Sequence, residues 1–243
     1  PSSSRVAGYL SKGLARWNII RCLLPEYSRQ VRLRPGSRQP VDAILGWGLK
    51  PTSTQARKLA ARRGLPYVAI EDGFLRSLGL GVNYSQPHSL VVDYSGIYYD
   101  ATRPSDLERL LADTDFETDE LKRASQAMQR LRQLRLSKYN HAPDRPLPFS
   151  DRLRVLVIDQ TRDDASITHG MADASSFQRM LECAIADHPE AEILVKTHPD
   201  VIAGRKQGYL TQATTDSRCR LVGDDLNPWA LIDAADAVYV VTS

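Results

Sequence analysis

The sequence predicts an α/β protein of two domains, on three observations. From residue 151 onward, apolar strand-like runs alternate with helical patterns, which is the signature of a parallel, doubly wound sheet. The first half carries two further buried-strand patterns around a helix. Between the halves, "APDRPLPFSD" packs three prolines into a short polar stretch, a boundary near 142–152 that separates domains 1–150 and 151–243.

Taken in order, "DAILGWG" reads as a short strand entering a glycine turn, and "STQARKLAARRGL" as a helix closed by Gly64. "PYVAIEDGFLRS" is a buried strand that ends at Glu71 and Asp72. "SLVVDYSGIYYDAT" suggests paired strands turning at Ser95 and Gly96, and "PSDLERLLAD" a helix with Pro and Ser at its start. "ELKRASQAMQRLRQLRLSK" spaces Leu121, Met128, Leu131 and Leu134 as a long amphipathic helix. Beyond the prolines come strand "RVLVIDQ", helix "SSFQRMLECAIADHP", strands "EILVKTHP" and "CRLVG", helix "NPWALIDAA" and strand "AVYVVTS".

Composition bounds the function. With 243 residues, 42% hydrophobic content and no apolar run of membrane-spanning length, a soluble globular chain is expected. Cys22, Cys183 and Cys219 are scattered and fit a reducing cytoplasmic compartment. "PSSSRVAGYLSKGLARWNII" lacks the apolar core and cleavage site of a secretory signal. Residues 1–40 carry +7 while the remainder carries −4. That basic segment, interleaved with Tyr9, Leu10, Leu14, Trp17, Ile19, Ile20, Leu23 and Leu24, reads most simply as an amphipathic surface helix. Peripheral contact with an anionic inner-membrane surface, or with a phosphate-bearing acceptor, is the functional alternative. No nucleic-acid motif accompanies the charge.

"LRVLVIDQTRDDASI" runs from Leu153 through a buried strand into three aspartates, an amide and two hydroxyls. Polar clusters also follow the other strands of this half: Lys196, Thr197 and His198 after one, Thr242 and Ser243 after the last. Ligands of open α/β sheets bind outside the carboxyl ends of the strands, so these clusters are expected to face one crevice and to bind an anion. Neither a dinucleotide fingerprint nor a P-loop is present. The "DTD" of Asp113–Asp115 follows a surface helix, and no paired His or Cys spacing suggests a metal.

Four ordered segments, "ILGWGLKPTSTQARKLAARRGLPYVAIEDGFLRSLGLG", "LVVDYSGIYYDATRPSDLERLL", "VLVIDQTRDDASI" and "ILVKTHPDVIAGRKQGYL", resemble the KpsC-type capsule polysaccharide proteins, retaining β-Kdo transferases. The resemblance covers roughly Val41 to Ser243, and its motif order is similar to that of the N-terminal module of that family. It implies a GT-B-like arrangement, two Rossmann-like domains facing a crevice, with the second domain incomplete because the family pattern continues past "VYVVTS". It also implies CMP-Kdo as donor, a Kdo-linked glycolipid or oligosaccharide as acceptor, and no cofactor or metal.

On that resemblance Asp164 is the nucleophile, with Asp163 or Asp159 in reserve, and Glu71 is the acid/base. Lys196 and His198 meet the leaving phosphate as positive partners, and Arg76 forks onto the Kdo carboxylate. Gln160, Thr161, Ser166 and Ser243 line the donor site, while Trp47 is either a sugar platform or packing. Two other readings fit the same residues: an inverting sugar-nucleotide transferase, and a non-catalytic capsule export or scaffold module.

Overall fold

The computed structural model describes residues 5–15, 20–34, 36–50, 53–79, 86–210, 216–223 and 226–242. The chain divides into two compact units, Pro1–Tyr139 and Asn140–Ser243. The proline-rich stretch is tied to the second unit. Asn227 donates its backbone N–H to Pro143 O, Arg154 donates a guanidinium N–H to Pro148 O, and Leu147 packs on the second core.

In the first unit, β1 (Val6–Tyr9), α1 (Lys12–Ala15), α2 (Ile20–Leu23), β2 (Arg29–Arg32), β3 (Ala43–Trp47), α3 (Thr54–Arg63), β4 (Tyr67–Asp72) and β5 (Leu90–Asp93) precede α4 (Asp106–Asp113) and α5 (Thr118–Leu134). The sheet order is β2-β1-β3-β4-β5, parallel except for the antiparallel β4–β5 pair. Its two faces bury separate clusters, one around Leu14, Leu24, Leu45 and Ile70, the other joining Ile44 to Ala56 and Ala60 of α3. Gly64 ends α3 as expected, with φ 60° in the left-handed region. Ser105 and Glu108 close a reciprocal capping box at the start of α4.

Two expectations fail here. Among the described residues of 1–40 there is no single amphipathic helix but two strands and two short helices, and Leu14, Leu24, Val31 and Leu33 lie in the core instead of facing a membrane. Trp17 and Ile19 lie outside the described residues. The paired strands expected around Ser95 reduce to β5 alone. Asp93 Oδ1 accepts the N–H groups of Ser95 and Gly96, and Asp106 Oδ2 accepts that of Tyr94, so "YSG" has no donors left for a second ladder. The amphipathic helix does form as α5, but none of its side chains is buried.

The second unit holds β6 (Arg154–Ile158), α6 (Ala165–His169), α7 (Ala174–Asp187), β7 (Glu192–Lys196), α8 (Pro199–Ile202), β8 (Cys219–Val222), α9 (Pro228–Asp233) and β9 (Ala237–Tyr239). Its strands are all parallel, in the order β8-β7-β6-β9. Val155, Val157, Ile193 and Val195 face Phe177, Leu181 and Ala184 of α7, while Leu156 and Leu194 face Leu231 of α9. The chain moves outward from β6 through β7 to β8 and returns to the other side of β6 as β9. The carboxyl ends of β6 and β9 therefore flank a topological switch point, where open α/β sheets hold their ligands. Among the described residues no helix is long and apolar enough to cross a membrane.

Candidate functional site

The aspartates of "DQTRDDASI" have three different fates. Asp159 turns inward at the end of β6 and is 4% exposed. Its Oδ1 accepts the backbone N–H groups of Gln160 (2.9 Å) and Tyr209 (3.0 Å), while Oδ2 is buried without a hydrogen-bond partner among the described residues. Burial pushes this carboxyl above the usual range, against the lowering effect of the N–H bonds. The next residues are clamped to the segment before Tyr209. Thr161 bridges Gly208, Arg162 N–H reaches Gln207 O, and the Arg162 guanidinium lies 5.6 Å over the Tyr209 ring.

Beyond the clamp the chain reverses. Asp163 takes φ 66°, and Asp164 N–H bonds Thr161 O at 3.3 Å. This brings Asp164 to the surface as the N-cap of α6, its Oδ1 accepting from Ser166 N–H at 3.0 Å. Oδ2 of Asp164 makes no hydrogen bond among the described residues. Buried Ile167 anchors the turn behind it. Asp164 is thus the carboxylate of this loop that is both fixed at one oxygen and open at the other.

Gln160, Ser166 and Thr242 form one knot at the switch point. Gln160 Oε1 accepts from Thr242 N–H (3.2 Å) and Thr242 Oγ1 (3.0 Å), its Nε2 donates to Ser166 Oγ (3.3 Å), and the two hydroxyls are 3.2 Å apart. The loop after β6 and the segment after β9 are locked together by side chains that read singly as turn caps. Ser243 lies outside the described residues.

Lys196 ends β7, which pairs with β6, and His198 follows it. The Lys196 ammonium donates to Gly223 O (2.7 Å) and Thr197 O (3.3 Å). His198 Nδ1 accepts Asp200 N–H at 3.1 Å, so its unprotonated nitrogen is Nδ1 and its proton sits on Nε2. Burial pushes His198 below its ordinary pKa, with Asp200 and Asp164 acting in the opposite direction. Burial thus works against the positive charge expected on His198, and the Asp200 N–H bond at Nδ1 leaves Nε2 as its donor.

In the first unit, Glu71 is the penultimate residue of β4 and is 8% exposed. Its Oε1 accepts from Trp47 Nε1 (2.6 Å) and from Asp72 N–H (3.2 Å). Burial raises its pKa, opposed chiefly by the charge of Lys50. Gly48, with φ 48°, is required here: a Cβ would collide with the Tyr99 hydroxyl and lie 2.7 Å from Glu71 Oε2. Trp47 therefore serves as a hydrogen-bond donor that orients Glu71. Arg76 is 2% exposed, its Nε on Asp72 Oδ1 at 2.7 Å and its Nη1 on Ser77 Oγ at 2.9 Å.

Sequence reasoning misses Tyr99 and Tyr209. The Tyr99 hydroxyl accepts Leu49 N–H across 50 positions, and Tyr209 presents a backbone N–H to Asp159 across another 50. Backbone donors at such separations leave no local sequence signal.

The Asp159 geometry sets a stability prediction. A carboxyl whose folded pKa is raised favours the native state fully only while protonated, below its unfolded pKa of about 3.9, and loses that contribution as pH rises through the folded value. Asp159→Asn keeps an acceptor for the Gln160 and Tyr209 N–H groups without the charge. Urea midpoints should show the variant gaining on the wild type as pH rises above about 4 and through the raised folded value, and a gain that shrinks over that rise would contradict the buried placement.

The family model described as "Capsule polysaccharide biosynthesis protein" matches residues 42–153 and 144–243. The capsule polysaccharide modification protein LipA of Neisseria meningitidis serogroup B is 47% identical over 239 residues, 96% of this chain and 33% of that protein. The lipopolysaccharide-processing protein LpsZ of Rhizobium meliloti is 37% identical over 83% of this chain and 47% of its own length. The chain thus spans about a third to a half of these relatives. Among solved structures, the β-Kdo 2,4-transferase of Thermosulfurimonas dismutans KpsC superposes with a TM-score of 0.87 at 40% identity, over 97% of this chain and 73% of the other. The β-Kdo 2,7-transferase of the same KpsC gives 0.56 at 25% identity, over 98% and 68%.

Proposed function

Because the chain belongs to the capsule polysaccharide biosynthesis protein family, we propose that it is a glycosyltransferase module that moves Kdo from CMP-Kdo to a Kdo-bearing acceptor with retention of configuration. The observation that carries this reading is the likeness to the KpsC β-Kdo 2,4-transferase along nearly the whole chain, which also favours the 2,4 over the 2,7 linkage. The GT-B arrangement, with acceptor on the first unit and nucleotide on the second, is part of the same proposal.

In this mechanism the CMP phosphate lies at the carboxyl ends of β6, β7 and β9. Lys196 supplies charge and His198 an N–H, while the Gln160–Ser166–Thr242 knot keeps the floor of the site rigid. Thr161 acts by holding the turn, and Arg76 by holding Asp72 at the end of the Glu71 strand. The open oxygen of Asp164 attacks the anomeric carbon as its bond to the phosphate oxygen breaks, and the electron pair leaves with CMP. Glu71 then takes the proton of the acceptor hydroxyl, the acceptor oxygen attacks the same carbon, and the Asp164 carboxylate departs.

Calorimetry tests the donor site. CMP should bind more tightly than UDP, and Lys196→Met should weaken CMP by about tenfold or more, as expected for loss of a charge-assisted phosphate contact. Tighter UDP binding would redirect the donor assignment, and absence of CMP binding would favour a non-catalytic capsule module.

A further inference from the structure

We propose that the trough along the free edge of β2 is a binding site for an acidic oligosaccharide, a sugar chain bearing carboxylates. β2 is the terminal strand of the first sheet, so one of its edges has no strand partner among the described residues. Along it lies a groove of about 440 Å³ lined by Ser28, Arg29, Gln30, Val31, Arg32 and Gln39. Arg29 and Arg32 are exposed at the two ends of the strand, about 10 Å apart by strand rise; three positions apart, they leave on opposite faces and both line the groove at the edge. Among the described residues neither guanidinium, nor those of neighbouring Arg34 and Arg38, has a carboxylate or hydrogen-bond partner.

The lining selects the ligand. Two guanidinium forks match carboxylates in a bidentate geometry, and the Gln39 amide, with the Ser28 hydroxyl oxygen that donates its proton to Arg5 O, suits sugar hydroxyls. Gln30 is buried and fixed by its Nε2 bond to Tyr27 O at 3.4 Å, which gives the trough a rigid floor. Val31 is the single apolar side chain of the lining and there is no aromatic ring, so the groove offers neither an acyl surface nor a stacking platform for bases. Edge charges also guard strands against aggregation, but that role asks nothing of the Gln39 carboxamide and Ser28 hydroxyl that line the groove with them.

The groove belongs to the same sheet as Glu71. In the order β2-β1-β3-β4 three strand spacings separate β2 from β4, about 14 Å. Resting on the transferase reading, the groove holds the distal residues of an acceptor chain whose reacting end lies at Glu71.

The experiment titrates the isotope-labelled protein with an α2,8-linked sialic acid tetramer and with its carboxyl-reduced, neutral form, following amide shifts and affinity at low salt. The acidic tetramer should shift Ser28–Arg32 and Gln39, and Arg29→Gln with Arg32→Gln should weaken it by about tenfold or more. Lys58→Gln with Arg62→Gln, an equal charge loss on exposed positions of α3, should leave affinity within about twofold. No shift on β2, equal loss in both double variants, or equal binding of the neutral tetramer would overturn the proposal. CMP binding measured on the same variants separates this outcome from failure of the donor site.

Discussion

Asp164→Asn is expected to lower transfer by about a thousandfold or more while leaving fold and CMP affinity intact. The side chain is exposed and its structural task is to cap α6, by accepting Ser166 N–H at 3.0 Å. Asparagine caps helices as well as aspartate does, so stability should change by only a few tenths of a kcal/mol. What asparagine cannot do is attack the anomeric carbon from the oxygen that Asp164 leaves open. Were Asp164 only a turn cap, the cost would be that of one hydrogen bond, about 1 kcal/mol or roughly fivefold. Single-turnover release of CMP, measured beside thermal unfolding, separates the two cases by some hundredfold. Asp163→Asn is the companion variant. Asparagine tolerates φ 66° as aspartate does, so near-normal turnover there confirms that the charge is needed at 164 and not merely somewhere in the loop.

Much of this arrangement was legible in the sequence, and its limits have physical causes. "RVLVI" and "EILVK" are continuous apolar runs because strands of a parallel sheet are covered on both faces, and Gly64 and the Ser105–Glu108 pair mark helix ends by local chemistry. The strands of the first forty residues were hidden. "VAGY" and "RQVR" are four residues each, and at the sheet edge β2 alternates no apolar pattern, only exposed arginines around buried Gln30 and Val31. Sequence alone could not separate Asp159 from Asp163 and Asp164. The distinction is made by Tyr209, whose N–H draws Asp159 inward, and by the left-handed turn at Asp163. The lowered pKa of His198 was equally out of reach, since it depends on burial.

Glu71→Gln should slow turnover by about a hundredfold to ten-thousandfold, the range for loss of a general base, while sparing the first displacement. The carboxamide oxygen of the variant would still accept the Trp47 Nε1–H, so the strand end keeps its shape, but an amide cannot take the proton of the acceptor hydroxyl. A Kdo adduct should then accumulate on the peptide containing Asp164, where mass spectrometry finds it. The pH profile gives an independent readout. Glu71 must be a carboxylate to accept the proton, and burial raises its pKa, so turnover should climb as pH rises through that elevated value. The Trp47 N–H bond favours the charged form and lowers the pKa; Trp47→Phe removes it and should move the acid limb of the profile to higher pH, with activity recovering there. A merely structural tryptophan would depress the rate at every pH alike. Normal turnover in Glu71→Gln would assign the base elsewhere, and an adduct on Asp159 or Asp163 would move the nucleophile within the loop.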